Sequence, residues 1–202
     1  LVAAGEDQNW SAEAACRTDI TLPASQRDLL KELKKTGKPI GLVLMNGRPL
    51  ELIWEDENMD AILEAWYPGT MGGHAIADVI AGDYNPAGRL PLTFYASSDD
   101  LPDFEDYDMS NRTYRYFKGK ALFPFGHGLS YTIFDYGKAK VDKQNVRVGE
   151  GMTLTIPLKN TGKLDGDEVI QVYLRNPADK EGPIKTLRAF RRVSLPAVSY
   201  TH

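Results

Sequence analysis

Cysteine is almost absent from the chain. Cys16 stands alone, so no disulfide can form within it and no CxxC pair is available for metal or redox chemistry. Histidine is scarce too. His74, His127 and His202 lie far apart, whereas protein metal sites gather three or four donors. Neither a metal nor another cofactor is expected. An excess of basic charge is also missing: 24 Lys and Arg face 28 Asp and Glu, a net charge of −4. That speaks against nucleic acid and against an anionic membrane as partners. The longest apolar runs, such as IGLVLM at 40–45, are far too short to span a bilayer. No GxGxxG fingerprint, P-loop or G-x-S-x-G elbow is present. GTMGGHA at 69–75 is glycine-rich ahead of a helix but lacks the Lys-Ser/Thr pair of a P-loop, and close packing accounts for its glycines. No signal peptide is visible; the chain opens inside an apparent strand, and a targeting segment could lie upstream.

What is present is an ordinary globular composition, 42% hydrophobic and 26% charged over 202 residues. It suits one large domain or two small ones. Residues 1–4 read as the end of a buried strand. Residues 23–36 read as a helix, with Pro23 in its first turn, Leu29, Leu30 and Leu33 on one face and Gly37 as the stop. The run at 39–46 has the pattern of a strand buried on both faces. LELIW at 50–54 and AILEAWY at 61–67 read as further strands, the first running into a short helical turn. Residues 72–82 form a helix by the spacing of Ala75, Ile76, Val79 and Ile80. Alternating strands and helices give an α/β layer with a mostly parallel sheet. The stretch 85–133 is rich in Pro, Gly, acids and aromatics, as an irregular connector would be. From Asp135 the period becomes two, with NTGKLDGD as a turn between two strands. Four or five strands can be counted there, against about seven in a complete sandwich. The expected class is therefore a mostly parallel α/β sandwich over 1–134, connector included, followed by a partial β-sandwich over 135–202. Open sheet edges in a partial sandwich invite self-association.

One segment stands out. Between the first strand and the first helix lie about 17 residues, 6–22, without a helix or strand period, and compact domains rarely keep so long a loop without a use. It leaves the carboxyl end of a strand, where ligands bind in open α/β sheets. Glu13 lies mid-loop among Ala12, Ala14 and Ala15. Covered by apolar groups or a ligand, its carboxyl would favour the protonated form and could serve as an acid near neutrality. The plainer reading is a solvated surface glutamate. Glu6 and Asp7 sit where carboxylates can bond backbone amides. Arg17 and Asp19 read as a structural pair or a cap for the loop. Trp10 could stack on a sugar ring or plug the loop.

Several strings resemble glycoside hydrolase family 3, the β-glucosidase and β-xylosidase family: EAACRTDITLPASQRDLL, TGKPIGLVLMNGRPL, AILEAWYPGTMGGHAIADVIAGDYNPAGRLPLTF, NRTYRYF and LFPFGHGLSYTIF. They cover most of residues 1–135 in the family's order. The remainder is similar to the fibronectin type III-like domain that follows in many members. The resemblance implies an exo-acting, retaining β-glycosidase acting on β-linked oligosaccharides or glycosides. In this family a TIM-like barrel supplies an aspartate nucleophile, and the α/β domain lends the general acid/base on a loop that reaches the barrel's pocket. The matching position is Glu13, in SAEAACRTD. Such a loop would be long because it must cross an interdomain gap.

No barrel is legible here: an eightfold βα pattern takes about 250 residues. The resemblance thus implies a C-terminal piece of an enzyme, with the barrel as its missing partner, inactive alone, and periplasmic or secreted. DLPDFEDYDMSNRTYRYF leans towards xylosidases and EAACRTDITLP towards glucosidases. The ending VSYTH departs from the family pattern, which continues through a Gly-Glu turn and further strands. The rival reading is a non-catalytic module for domain packing or carbohydrate contact.

Overall fold

The computed structural model describes residues 1–15 and 17–198; Cys16 and residues 199–202, which hold His202 and most of the VSYTH ending, lie outside the described residues. The first half is built on three parallel strands in the order β1-β2-β3: β1 (Val2–Gly5), β2 (Gly41–Met45) and β3 (Ala61–Glu64). The run GLVLM becomes the central strand. It pairs on both sides, Leu42 with Val2 and with Ile62, and Leu42, Val43 and Leu44 are all buried. This is why its sequence is apolar without alternation.

Helix α1 (Ala24–Lys34) joins β1 to β2, helix α2 (Ile53–Asn58) joins β2 to β3, and helix α3 (Gly72–Ala81) follows β3. Leu22, Leu30, Leu42, Leu44, Leu50, Leu52 and Phe94 form the centre of one core. Each leucine so buried contributes about 1.5–3 kcal/mol, enough to fix the register of a short sheet. Pro23 precedes α1 as its cap rather than entering it, and Leu29 is 51% exposed, so the leucine face is narrower than its spacing promised. Gly82 closes α3 in the left-handed region, at φ 86°. Among the described residues no helix is long and apolar enough to cross a membrane.

The strand expected at 50–54 shrinks to one parallel bridge, Glu51 to Thr21. The helical turn takes over from Ile53, because Glu55 and Asp56 fall in its first turn, where carboxylates suit the helix dipole. The connector returns to the sheet. Phe94 and Phe123 pair through their backbones and their rings lie 6.0 Å apart, with Trp66 6.2 Å from Phe94. A single turn of helix, α4 (Thr113–Tyr116), interrupts it.

Among the described residues six strands follow instead of four or five: β4 (Phe134–Tyr136), β5 (Lys140–Val141), β6 (Leu154–Thr155), β7 (Leu158–Asn160), β8 (Gly166–Leu174) and β9 (Thr186–Leu195). They pair antiparallel as β4-β7, β5-β6 and β8-β9. The strands flanking NTGKLDGD therefore do not pair with each other. The buried Asn160 side chain turns the chain there, accepting from the Thr132 hydroxyl at 2.7 Å and donating to the Leu164 carbonyl at 2.7 Å. Arg89 on the connector forms an ion pair with Glu168 on β8, whose other oxygen accepts from the Tyr136 hydroxyl at 2.7 Å.

Candidate active site

The long loop begins at a steric bottleneck. Gly5 has φ 147°, and a Cβ there would stand 1.9 Å from the Met45 carbonyl oxygen, so β1 can run this close to β2 only as glycine. The Glu6 amide then donates to that carbonyl at 3.0 Å and carries the ladder one residue further. Across the other edge, Gln26 of α1 grips Gly5 twice. Its Nε2 donates to the Gly5 carbonyl at 3.0 Å and its Oε1 accepts from the Gly5 amide at 2.9 Å.

Among the described residues Glu6 does not bond backbone amides through its carboxylate. Its side chain is 0% exposed, and its two oxygens are taken by two guanidinium groups: Arg17 on one, and Arg48 Nε on the other at 2.8 Å. Arg17 comes from the far arm of the loop and Arg48 from the turn after β2. Arg48 Nη2 also donates to the Trp10 carbonyl at 2.7 Å. Arg17 therefore pairs with Glu6 rather than with Asp19, and it lies over the Trp10 ring, 4.8 Å from the centroid. Asp7 behaves as its position suggested. It caps the short helical turn Gln8–Trp10, accepting from the Asn9 amide at 2.8 Å. Asp19 caps a second turn, and the side-chain and backbone hydrogen bonds from Thr21 hold its carboxyl below the usual range.

Glu13 sits at the tip. A tight turn, closed by the Ala15 amide on the Ala12 carbonyl at 3.0 Å, places it outward, with Ala14 behind it in the left-handed region at φ 57°. The Glu13 side chain is exposed, and among the described residues no hydrogen bond or ion pair engages it. A cavity of about 490 Å³ opens beside it, lined by Asn9, Trp10, Ala14, Ala15 and Arg17. Trp10 is 41% exposed.

The carboxyl ends of all three strands meet this loop. At the end of β2, Asn46 is fully buried and donates to the Arg48 carbonyl at 2.5 Å. A Cβ on Gly47 would strike the Tyr67 ring at 2.8 Å and Ser11 at 2.9 Å, so this glycine lets the loop and the turn after β3 close over β2. After β3, Tyr67 donates its hydroxyl to the Glu6 carbonyl at 3.2 Å. Glu64 accepts from the Trp66 amide at 3.0 Å and helps to hold Trp66 at φ 52°; burial pushes its carboxyl up to about 8. Sequence reasoning singled out none of Arg48, Tyr67 and Glu64. The only signal in reach was NGR at 46–48 and WYPG at 66–69, turn strings that immediately follow strands.

The arrangement can present one carboxyl, Glu13, beyond the edge of the protein on an anchored support, with an aromatic ring and a shallow cavity beside it.

The family described as the glycosyl hydrolase family 3 C-terminal domain matches residues 1–131. A xylan 1,4-β-xylosidase from Xylanibacter ruminicola is 51% identical over 181 residues, which cover 90% of this chain and 21% of that protein. A periplasmic β-glucosidase from Salmonella typhimurium is 45% identical over 204 residues, 95% of this chain and 27% of that protein. Among solved structures, a β-glucosidase from Erythrobacter marinus superposes with a TM-score of 0.85 at 35% identity, covering 98% of this chain and 27% of that one. The β-glucosidase from Listeria innocua in complex with glucose also gives 0.85, at 33% identity, over 98% of this chain and 29% of that one. The chain thus spans roughly a quarter of the length of the relatives it matches.

Proposed function

The chain belongs to glycoside hydrolase family 3, and on that premise we propose that it supplies the general acid/base of an exo-acting, retaining β-glucosidase or β-xylosidase. Residues 1–134 carry the site and residues 135–202 form its fibronectin type III-like companion. The observation that carries the reading is the position of Glu13: an exposed carboxyl, unengaged among the described residues, at the tip of a loop whose base is tied to all three strand ends.

The chemistry needs two carboxylates about 5–5.5 Å apart. An aspartate from a barrel domain attacks the anomeric carbon, while Glu13 gives its proton to the departing glycosidic oxygen, and a covalent glycosyl-enzyme results. Glu13, now a carboxylate, takes a proton from water as that water attacks the same carbon and releases the sugar. Trp10 offers a ring face to the sugar on the leaving side. The name of the Salmonella relative supports a periplasmic or secreted site, which fractionation of the source cells would test.

The decisive experiment places this chain in the Xylanibacter xylosidase in exchange for the matching segment and changes Glu13 to Ala. Loss of a general acid usually removes about 10²–10⁴-fold in rate. Alkyl and sugar leaving groups, which need a proton, should suffer most. Glycosyl transfer from dinitrophenyl glycosides should be nearly spared, and azide should speed turnover of the accumulated intermediate. Equal losses for every leaving group without azide rescue would return Glu13 to a solvated side chain and the chain to a non-catalytic module.

A further inference from the structure

We propose that Arg48 is a positioning residue: its guanidinium clamps the loop that bears Glu13 by holding the Glu6 carboxylate and the Trp10 carbonyl at once. The proposal rests on the reading of Glu13 as acid/base, and it adds a device that neither the sequence nor that reading contains.

The geometry is specific. Nε reaches Glu6 at 2.8 Å and Nη2 reaches the Trp10 carbonyl at 2.7 Å, so one planar fork spans the root of the loop and its middle. A lysine ammonium is a point charge on a flexible stem and does not reproduce such a fork. Arg48 is 18% exposed at the side chain and its partner Glu6 is 0% exposed, so water competes poorly for the contact. Arg17 takes the other Glu6 oxygen and covers the Trp10 ring, which ties the returning arm to the same point. The loop is thus fastened at 6, 10 and 17, and the free tip between the last two holds Glu13. Arg48 itself sits outside the loop, on the turn after β2. That turn is held by the Asn46 side chain on the Arg48 backbone carbonyl, a bond that a change of the Arg48 side chain leaves in place.

A clamp matters for this chemistry because a proton donor must lie within hydrogen-bond reach of the leaving oxygen, and a misplacement of about 1 Å can cost on the order of 10²-fold. Arg48 touches neither the sugar nor the reacting atoms in this scheme and acts only through the loop.

Two measurements test it. In the 202-residue chain, amide exchange is followed for Arg48→Met and Arg48→Lys. The expected result is exchange at least about tenfold faster for amides 8–15 in the Met variant, an intermediate effect in the Lys variant, and unchanged protection in β2 and α1. Identical loop protection in all three proteins overturns the clamp, whatever Glu13 does. So does a general loss of protection that includes β2 and α1 in both variants, which would make Arg48 a part of the core. In the xylosidase exchange described above, Arg48→Met should reproduce the leaving-group pattern of Glu13→Ala in weaker form, about 10- to 100-fold on alkyl leaving groups and little on dinitrophenolate. A selective Glu13→Ala beside an Arg48→Met that lowers all substrates alike overturns the positioning role and leaves the acid in place. An unselective Glu13→Ala removes the acid, and the exchange data still decide whether Arg48 holds the loop.

Discussion

Glu64 ends β3 as a partly buried carboxyl with one oxygen on the Trp66 amide and the other, itself shielded from solvent, without a hydrogen-bond partner among the described residues. Burial raises its pKa from the usual 4.5 to about 8, against the opposing pull of the Trp66 amide. Between those two values the folded chain keeps a proton that the unfolded chain gives up. Stability from this group is therefore full below the unfolded value, falls as pH rises towards about 8, and levels off above it. Glu64→Gln should flatten that slope, gaining on the parent by roughly 2–3 kcal/mol between pH 5 and 8 after allowance for partial solvation. Urea melts across this pH range check it; parallel slopes in the two proteins would mean that the carboxyl ionises freely in the fold. The same scale shows what a sequence can reveal of a site. The long loop was legible because it has no helix or strand period, and Glu13 became its candidate through its place among alanines together with the family resemblance. Glu6 and Arg48 were not, because their ion pair spans 42 positions and only the parallel sheet brings them together.

Elements differ in how much of themselves they write into the chain. β2 was legible because burial on both faces leaves an unbroken apolar run, and α3 because its apolar spacing ends on Gly82. LELIW misled in part, since Leu50 and Leu52 are both fully buried and alternate as in a strand, although only Glu51 finds a partner there. The β8–β9 hairpin carries a consequence of its own. It is a sheet of two long strands, so among the described residues each has one edge without a partner, and Phe190 on β9 is 71% exposed. Such edges template pairing with another chain. Sedimentation velocity should show association that grows with concentration, and Phe190→Lys should weaken it. A chain that stays monomeric at all concentrations argues against open edges as the interface.

Over the whole molecule, the mixed architecture was readable and the pairing of the later strands was not. Among the described residues six strands of unequal length join across turns of unequal length, and period-two patterning says which side chains share a face but not which strands meet. On the proposed function the chain brings one half of a two-carboxylate reaction. Residues 1–202 alone should therefore leave aryl β-glucosides and β-xylosides unhydrolysed within detection, since a proton donor without a nucleophile or sugar pocket lacks most of the catalytic apparatus. Turnover at an ordinary enzymatic rate, abolished by Glu13→Gln, would place both carboxylates in this chain.

The double grip of Gln26 on Gly5 bears on how such a loop can change. It joins residues 21 positions apart, so the segment between them is a closed ring fastened from outside. The entropy of closing that ring is met when the sheet and α1 assemble, and doubling its length adds only about 0.6 kcal/mol. The stretch 12–15, between the anchors at Trp10 and Arg17, is accordingly a cassette. It can be lengthened, shortened or recomposed with little effect on the fold, and, on the proposed function, the same support would hold out the acid at a different reach for a different sugar.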